Sequence, residues 1–520
     1  MRLALLDYLI FAGYLAVTVT VGLWLARKED DTTDYFLAGR QLRWWIIGAS
    51  LIATNISTEH FVGMAGSGFR YGLAIASYEW MAAVTLVLVG WWFLPKFLRH
   101  GIYTMPQFLE QRFNGHARAI LAVYLLLAYI FVALATVIYS GALALSTLFG
   151  IPVWVGIALL CGVTGLYTIY GGLKAVVYTD FVQFLFLIAG GAVTLVLGLK
   201  AIGGPARLLA LAPEKFHAVL PLDHSELPWF GVFFGGLWIA NLFYWGCNQY
   251  ITQRALAARS LKEGQHGILF AAAIKVLLPF LIVLPGIIAW ALYHDRVGNP
   301  DTAYPFLITA IVPSGIAGLI FAGLLAAVMS TLSSMINSSA TIFTMDLYRR
   351  YSARGRGADE RRLITVGRWS GVACLLFATL WAPMLGRAGA GVFHYIQEFW
   401  GIITPGVCVV FLLGLFWKRA TAGGAVTGLL ATIPITTGVK VLNASVTALQ
   451  PFLKAFLNQM WVAGILVALC VALVSWREPA PQPAAAGGAP SPIDLTPSRA
   501  YWWIAAVVLG AVAALYVRFF

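Results

Sequence analysis

Ala53-Thr54-Asn55-Ile56-Ser57-Thr58-Glu59-His60 is a polar run set inside apolar sequence. Trp44, Trp45, Ile46 and Ile47 lead into it, and Phe61, Val62 and Met64 lead out. A hydrocarbon interior tolerates such a run only where protein or a watery cavity surrounds it. The stretch has the length of a membrane-spanning helix, so the run marks a site for something polar near mid-bilayer.

Composition points the same way. The chain has 520 residues, 60% hydrophobic and 11% charged, where a soluble domain carries about 25% charged residues. Apolar runs of about 20 residues, enough to cross a core of roughly 30 Å, recur along it. The pattern predicts an all-α polytopic membrane protein of about fourteen transmembrane helices, and it lacks the short alternating strands of a barrel. The spans are expected near 3–26, 44–66, 75–98, 119–148, 153–170, 177–202, 229–251, 265–293, 315–348, 369–385, 392–416, 423–442, 460–476 and 501–518, with an amphipathic piece at 303–311. Residues 1–43 form a first helix and loop, 44–416 a transport core, and 417–476 two accessory helices. The Pro/Ala/Gly-rich 477–500 is a flexible linker, and 501–520 a last helix.

The net charge of +13 invites a nucleic-acid partner, but its placement argues against one. Most Lys and Arg fall on alternate loops and their flanks, Arg254 among them, seven as Arg between 349 and 368. The positive-inside rule then puts both termini outside a plasma (inner) membrane, with the lipid bilayer as the protein's surroundings. The five cysteines lie in apolar segments without a CxxC pair, which offers neither a disulfide framework nor a zinc site.

Intramembrane charge is sparse: Glu59, Glu79, Asp180, Lys275 and Glu398. Each is costly at mid-bilayer unless paired, and each is a functional candidate by default. A second polar row runs from Ser330 to Ser339, with Ala327, Ser330, Thr331 and Ser334 on one helix face. Hydroxyls facing the freed carbonyls of an interrupted helix are hard, neutral ligands suited to Na+. A third group is amphipathic and aromatic: Tyr78, Trp80, Tyr244, Trp245, Tyr395 and Trp400. Such rings stack on the C–H faces of a sugar while their polar tips meet its hydroxyls. The span 229–251 is interrupted too, by Gly235-Gly236 and the polar Asn241, Tyr244 and Trp245. Matching interruptions in two halves point to an inverted-repeat transporter with a midplane site.

At DYFLAGR (34–40), IGASLIATNISTEHFVGMAGSG (47–68), AIASYEWM (74–81), YGGLKAVVYTD (170–180), NLFYWGCNQYITQRALAA (241–258), KVLLPFLIVLPG (275–286), MSTLSSMINSSATIFTMDLYRR (329–350) and YIQEFWG (395–401), the chain resembles the solute:sodium symporter family, and most closely its sodium/glucose cotransporter branch. The resemblance implies a LeuT-like core of two inverted five-helix repeats and secondary-active Na+-coupled uptake of a hexose by alternating access. It implies a sugar pocket of Asn55, His60, Glu79, Asn241, Lys275 and Gln397. Tyr244 would be an inner gate beside Trp245, and Met64 and Tyr78 an outer wall. The common sodium site would use the carbonyls of Ala53, Ile56 and Ala327 and the hydroxyls of Ser330 and Thr331. Bacterial galactose-transporting members carry glutamine and serine where this chain has His60 and Ala82. Single-sodium bacterial relatives carry alanines where it has Thr54 and Ser333. Thr54, Asp180, Ser333 and Ser334 are therefore the expected second sodium site of a 2:1 symporter. The alternatives are a carrier of another polyol such as inositol, or a sugar sensor. No nucleotide, metal or nucleophile motif suggests an enzyme.

Overall fold

The computed structural model describes residues 4–26, 31–57, 59–385, 392–480 and 493–520, with side chains throughout except at 147–148 and 392–398. The elements that build the site are, in chain order, α1 (Leu5–Leu25), α2 (Trp44–Asn55), α3 (Ala65–Tyr71), α4 (Ser77–Leu88), α5 (Val153–Ile202), α6 (Gly236–Leu242), α7 (Gln249–Leu256), α8 (Leu261–Tyr293), α9 (Ala317–Ile342) and α10 (Tyr501–Arg518).

Among the described residues twelve helices are long and apolar enough to cross a bilayer, against the fourteen spans expected. Two expected spans do not stand alone. Residues 44–66 are divided, and their second half runs on in a single stretch, Glu59–Arg99. Residues 153–170 and 177–202 are both within α5, a helix of 50 residues bent at Gly172. Gly172 has φ 51 and ψ −153, a left-handed φ open to glycine at little steric cost. The amphipathic piece is a helix, Ala303–Ile311.

The polar run ends α2 as expected. Ile56 leaves the helix with φ −79 and ψ 119, and the chain re-enters through a wide turn, Glu59–Met64, that leads into α3. Local side chains take up backbone groups that the break releases. Ser57 Oγ accepts the Glu59 N–H at 3.2 Å, and His60 Nδ1 accepts the Ser57 N–H at 3.3 Å.

The second interruption is more complex than its glycines suggested. Gly235 does separate a short helix, Trp229–Phe233, from α6. A further break with nearly the geometry of Ile56 falls at Asn248, with φ −85 and ψ 121, between the wide turn Phe243–Cys247 and α7. The two breaks face a shared interior. Helix α8 packs along both α2 and α3, while α5 packs along α9 and also touches α2.

Of the expected linker, 481–492 lies outside the described residues. Its end is held against the start of α8, where the Leu261 N–H donates to the Asp494 carbonyl at 2.8 Å and the Ser498 N–H to Gln265 Oε1 at 2.9 Å. Helix α10 then lies behind α4. Tyr501 OH donates to the Val87 carbonyl at 2.5 Å, and the Tyr516 ring meets Trp80 edge-on at 5.2 Å.

Close helix contact makes one glycine diagnostic. Gly286 of α8 lies so near the Ala65 carbonyl that a Cβ there would overlap it, whereas a Cβ at Gly438 would meet nothing within 4 Å. Gly286→Ala is expected to cost roughly 1–3 kcal/mol through overpacking and to lower the midpoint of a thermal-stability curve in detergent. Gly438→Ala is expected to leave that midpoint unchanged.

Candidate functional site

A cavity of about 250 Å³ opens at the first break, walled by Asn55, His60, Met64, Tyr78, Glu79, Ala82, Asn241, Tyr244, Trp245 and Lys275 among others. A second cavity of about 200 Å³ shares Asn55, Glu59, His60, Tyr78 and Tyr244 with it and extends past Thr54, Thr331, Trp400 and Thr404. Nine of the ten residues expected to face a sugar thus line one space. The tenth, Gln397, and the intramembrane candidate Glu398 and ring Tyr395 lie outside the described side chains.

The polar groups of the cavity hold one another. Lys275 Nζ, 1% exposed on its side chain, donates to Glu79 Oε2 and to Asn55 Oδ1. It also sits 5.2 Å from the centroid of the Trp245 ring, where the ring's negative face favours a cation. His60 Nε2 is 3.6 Å from Glu79 Oε1. Asn55 Nδ2 donates to Tyr244 OH at 3.0 Å, and Tyr250 OH donates to the same oxygen at 3.0 Å. Tyr244 therefore accepts twice and keeps its own proton to give. Asn241 Nδ2 is buried without a protein acceptor. A group of this kind is expected to meet a partner supplied by solvent or ligand.

Just behind Asn55 lies an oxygen-rich cluster. Thr331 Oγ1 donates to the Thr54 carbonyl at 3.2 Å and lies 3.0 Å from the Ala327 carbonyl. Ala53, Ile56 and Ala327 are fully buried around it. These are hard, neutral oxygens, a donor set that fits Na+. Asp180 gathers the rest. Its Oδ1 accepts from Ser330 at 2.6 Å, and its Oδ2 from Ser50 at 2.5 Å and Thr54 at 3.2 Å. Thr54 and Ser334 hydroxyls are 2.9 Å apart. Of the four residues expected to form a second cation site, Thr54, Asp180 and Ser334 come together. The Ser333 hydroxyl instead donates to the Ser330 carbonyl one turn back, at 2.9 Å.

The residues of this cluster that sequence reasoning missed are Arg254 and Ser50. Arg254 looked like a loop-flanking charge, yet it is fully buried. The break at Asn248 places α7 inside the bundle. Arg254 Nη2 reaches Asp180 Oδ2 at 3.5 Å and donates to Ser334, and its Nε donates to Ser50 at 3.0 Å. The signal was the density of polar residues in Asn248, Gln249, Thr252, Gln253 and Arg254, all buried.

The model of the sodium:solute symporter family matches residues 35–432. The sodium/glucose cotransporter of Vibrio parahaemolyticus is 46% identical over 490 residues, 88% of this chain and 90% of its own. The chain belongs to the sodium:solute symporter family. The mouse sodium/myo-inositol cotransporter 2 is 37% identical, with 82% of this chain and 68% of that one covered. Among solved structures, a Na+-coupled sialic acid symporter in a substrate-bound outward-open state superposes with a TM-score of 0.81, covering 92% of this chain and 99% of that one at 24% identity. A nucleobase–cation symporter in a closed conformation gives 0.54 at 16% identity. These likenesses establish the LeuT-like fold.

The symporter is thus a multi-pass membrane transporter with sodium as its coupling ion, and not an enzyme. The Glu79–Lys275 pair is buried on both sides. Breaking a buried pair from one side leaves an unbalanced charge and costs roughly 3–5 kcal/mol. Glu79→Gln and Lys275→Met should each lower the melting midpoint of the purified symporter. The double variant should melt higher than the additive expectation, a coupling that a double-mutant cycle measures.

Proposed function

We propose that this symporter couples Na+ entry to uptake of a neutral hexose, with Asn55, His60, Met64, Tyr78, Glu79, Asn241, Tyr244, Trp245, Lys275 and Gln397 as the sugar site. The observation that carries the reading is the cavity at the first break. Its polar groups include amides, a paired acid and base, and a phenol with a free proton, set among the rings of Tyr78, Tyr244 and Trp245. That mixture suits a ring of hydroxyls with apolar faces. The sodium/glucose and sodium/myo-inositol names of the relatives support a polyol substrate.

Sodium is assigned to the carbonyls of Ala53, Ile56 and Ala327 with the hydroxyls of Ser330 and Thr331. A second ion is assigned to Thr54, Asp180 and Ser334, with the expected fourth ligand, Ser333, joining them when its hydroxyl turns from the Ser330 carbonyl. In the conformation described, the Arg254 guanidinium rests on that second group, so binding a second Na+ there requires Arg254 to withdraw. Both termini are assigned to the outside of the plasma (inner) membrane on the placement of Lys and Arg. The chain is divided into the core at 44–416, with the accessory helices, linker and last helix following.

Proteoliposomes with an imposed Na+ gradient test the reading. Uptake should be Na+-dependent for at least one of glucose, galactose, mannose, fucose and inositol. Equal uptake with K+ in place of Na+ contradicts it. Tyr244→Ala and Asn241→Ala should raise the half-saturating sugar concentration at least tenfold, about 1.4 kcal/mol. Thr331→Ala should shift the sodium-activation curve to higher concentration. Reversal potentials measured at two sodium gradients should follow a 2:1 ratio, and a 1:1 slope removes the second ion.

A further inference from the structure

We infer that Glu59 faces the substrate and sets the charge selectivity of the sugar cavity, admitting neutral and amino sugars while excluding sugar acids. The inference rests on the sugar reading above and deepens it.

Glu59 is an intramembrane carboxylate that neither the expected sugar site nor the sodium sites use, as is Glu398, whose side chain lies outside those described. It lines both cavities at their common wall. Its side chain lies close enough to act electrostatically on the Tyr244 and Tyr250 hydroxyls. Among the described residues no Lys, Arg or His lies within ion-pair distance of it, although Glu79 one wall away is bonded to Lys275 and neighboured by His60. Glu59 stands at a helix start. It opens the half-helix that runs through Glu59–Met64 into α3, and the partial positive charge of a helix start favours an anion in the first turn. Its backbone N–H is already taken by Ser57 Oγ.

Glu59 and Glu79 line the larger cavity together with Lys275 and His60, and both of those side chains face Glu79. A hydroxyl donates readily to a lone carboxylate, and an ammonium on the sugar ring does so more strongly. A carboxylate brought in on the substrate meets like charge in a partly desolvated space, where Lys275 is already bonded to Glu79. Among the described residues that line this cavity, Asn241 Nδ2 is a buried donor without a protein acceptor; it is neutral and serves a ring hydroxyl as well as an anion. The contrast is with the sialic acid symporter of the same fold, whose named substrate is an acid.

The test is competition against Na+-driven glucose uptake by glucosamine and by glucuronate, repeated as ligand-induced thermal shifts on the purified protein so that a variant with poor turnover still reports. The unmutated protein should be inhibited by glucosamine and resist glucuronate. Glu59→Gln should shrink the ratio of the two inhibition constants by about tenfold or more, the scale of removing one charge acting over several ångströms at intermediate dielectric. Glu59→Asp, which keeps the charge, should retain most of the ratio. An unchanged ratio in Glu59→Gln overturns the inference while leaving hexose symport standing. So does the same loss in Glu59→Asp. Absence of any Na+-driven hexose uptake by the unmutated protein overturns the sugar reading and this inference with it.

Discussion

A helix that stops at Asn55, in the middle of a membrane bundle, leaves main-chain carbonyls with no partner of their own. Hydrocarbon offers them nothing. The rest of the interior answers that constraint. Thr331 reaches across from α9 to the Thr54 carbonyl, and Ser57 and His60 take up N–H groups on the far side of the gap. Oxygens gathered for this purpose are the donors of the proposed cation site, and the negative end of α2 points at the same place.

On the proposed site assignments, the break also explains how two solutes are joined. Thr54 gives its carbonyl to Thr331 and its hydroxyl to Asp180. The next residue, Asn55, takes Lys275 on one end of its amide and gives a proton to Tyr244 from the other. Neighbouring residues on one strand of backbone therefore belong to different sites, and a shift of one moves the other. A parallel connection runs from Tyr244 through the Tyr250 hydroxyl, along its residue to the Tyr250 carbonyl, to Arg254, and so to Asp180. Both routes pass through a helix break, which is where packed helices have room for two arrangements.

Much of this was legible in the sequence, for physical reasons. A polar run inside a span has few places to go, so ATNISTEH located the first break, and isolated membrane charges such as Glu79 and Lys275 had to find one another. Nine of the ten residues proposed for the sugar line one cavity, and their polar and aromatic side chains were what drew attention to them in the sequence. What the sequence hid was register and depth. Gly235-Gly236 drew attention away from Asn248, whose extended backbone matches Ile56. With that break misplaced, Arg254 read as a loop charge instead of the buried partner of Asp180. The fusion of two spans into the bent α5 depends on a single backbone torsion at Gly172, which no hydropathy pattern records. Ser333 lies in the right row, but its rotamer turns it back to its own helix.

The central claim is that sodium and sugar meet at one helix break and bind cooperatively. Titrating the purified protein calorimetrically, with sugar in the presence and absence of Na+ and with Na+ in the presence and absence of sugar, tests it most directly. Coupling is reciprocal by thermodynamic necessity. The account predicts that Na+ tightens sugar binding, that sugar tightens Na+ binding by the same factor, and that Thr331→Ala reduces that factor toward one. Sugar affinity that is the same in Na+ and in K+ would contradict it.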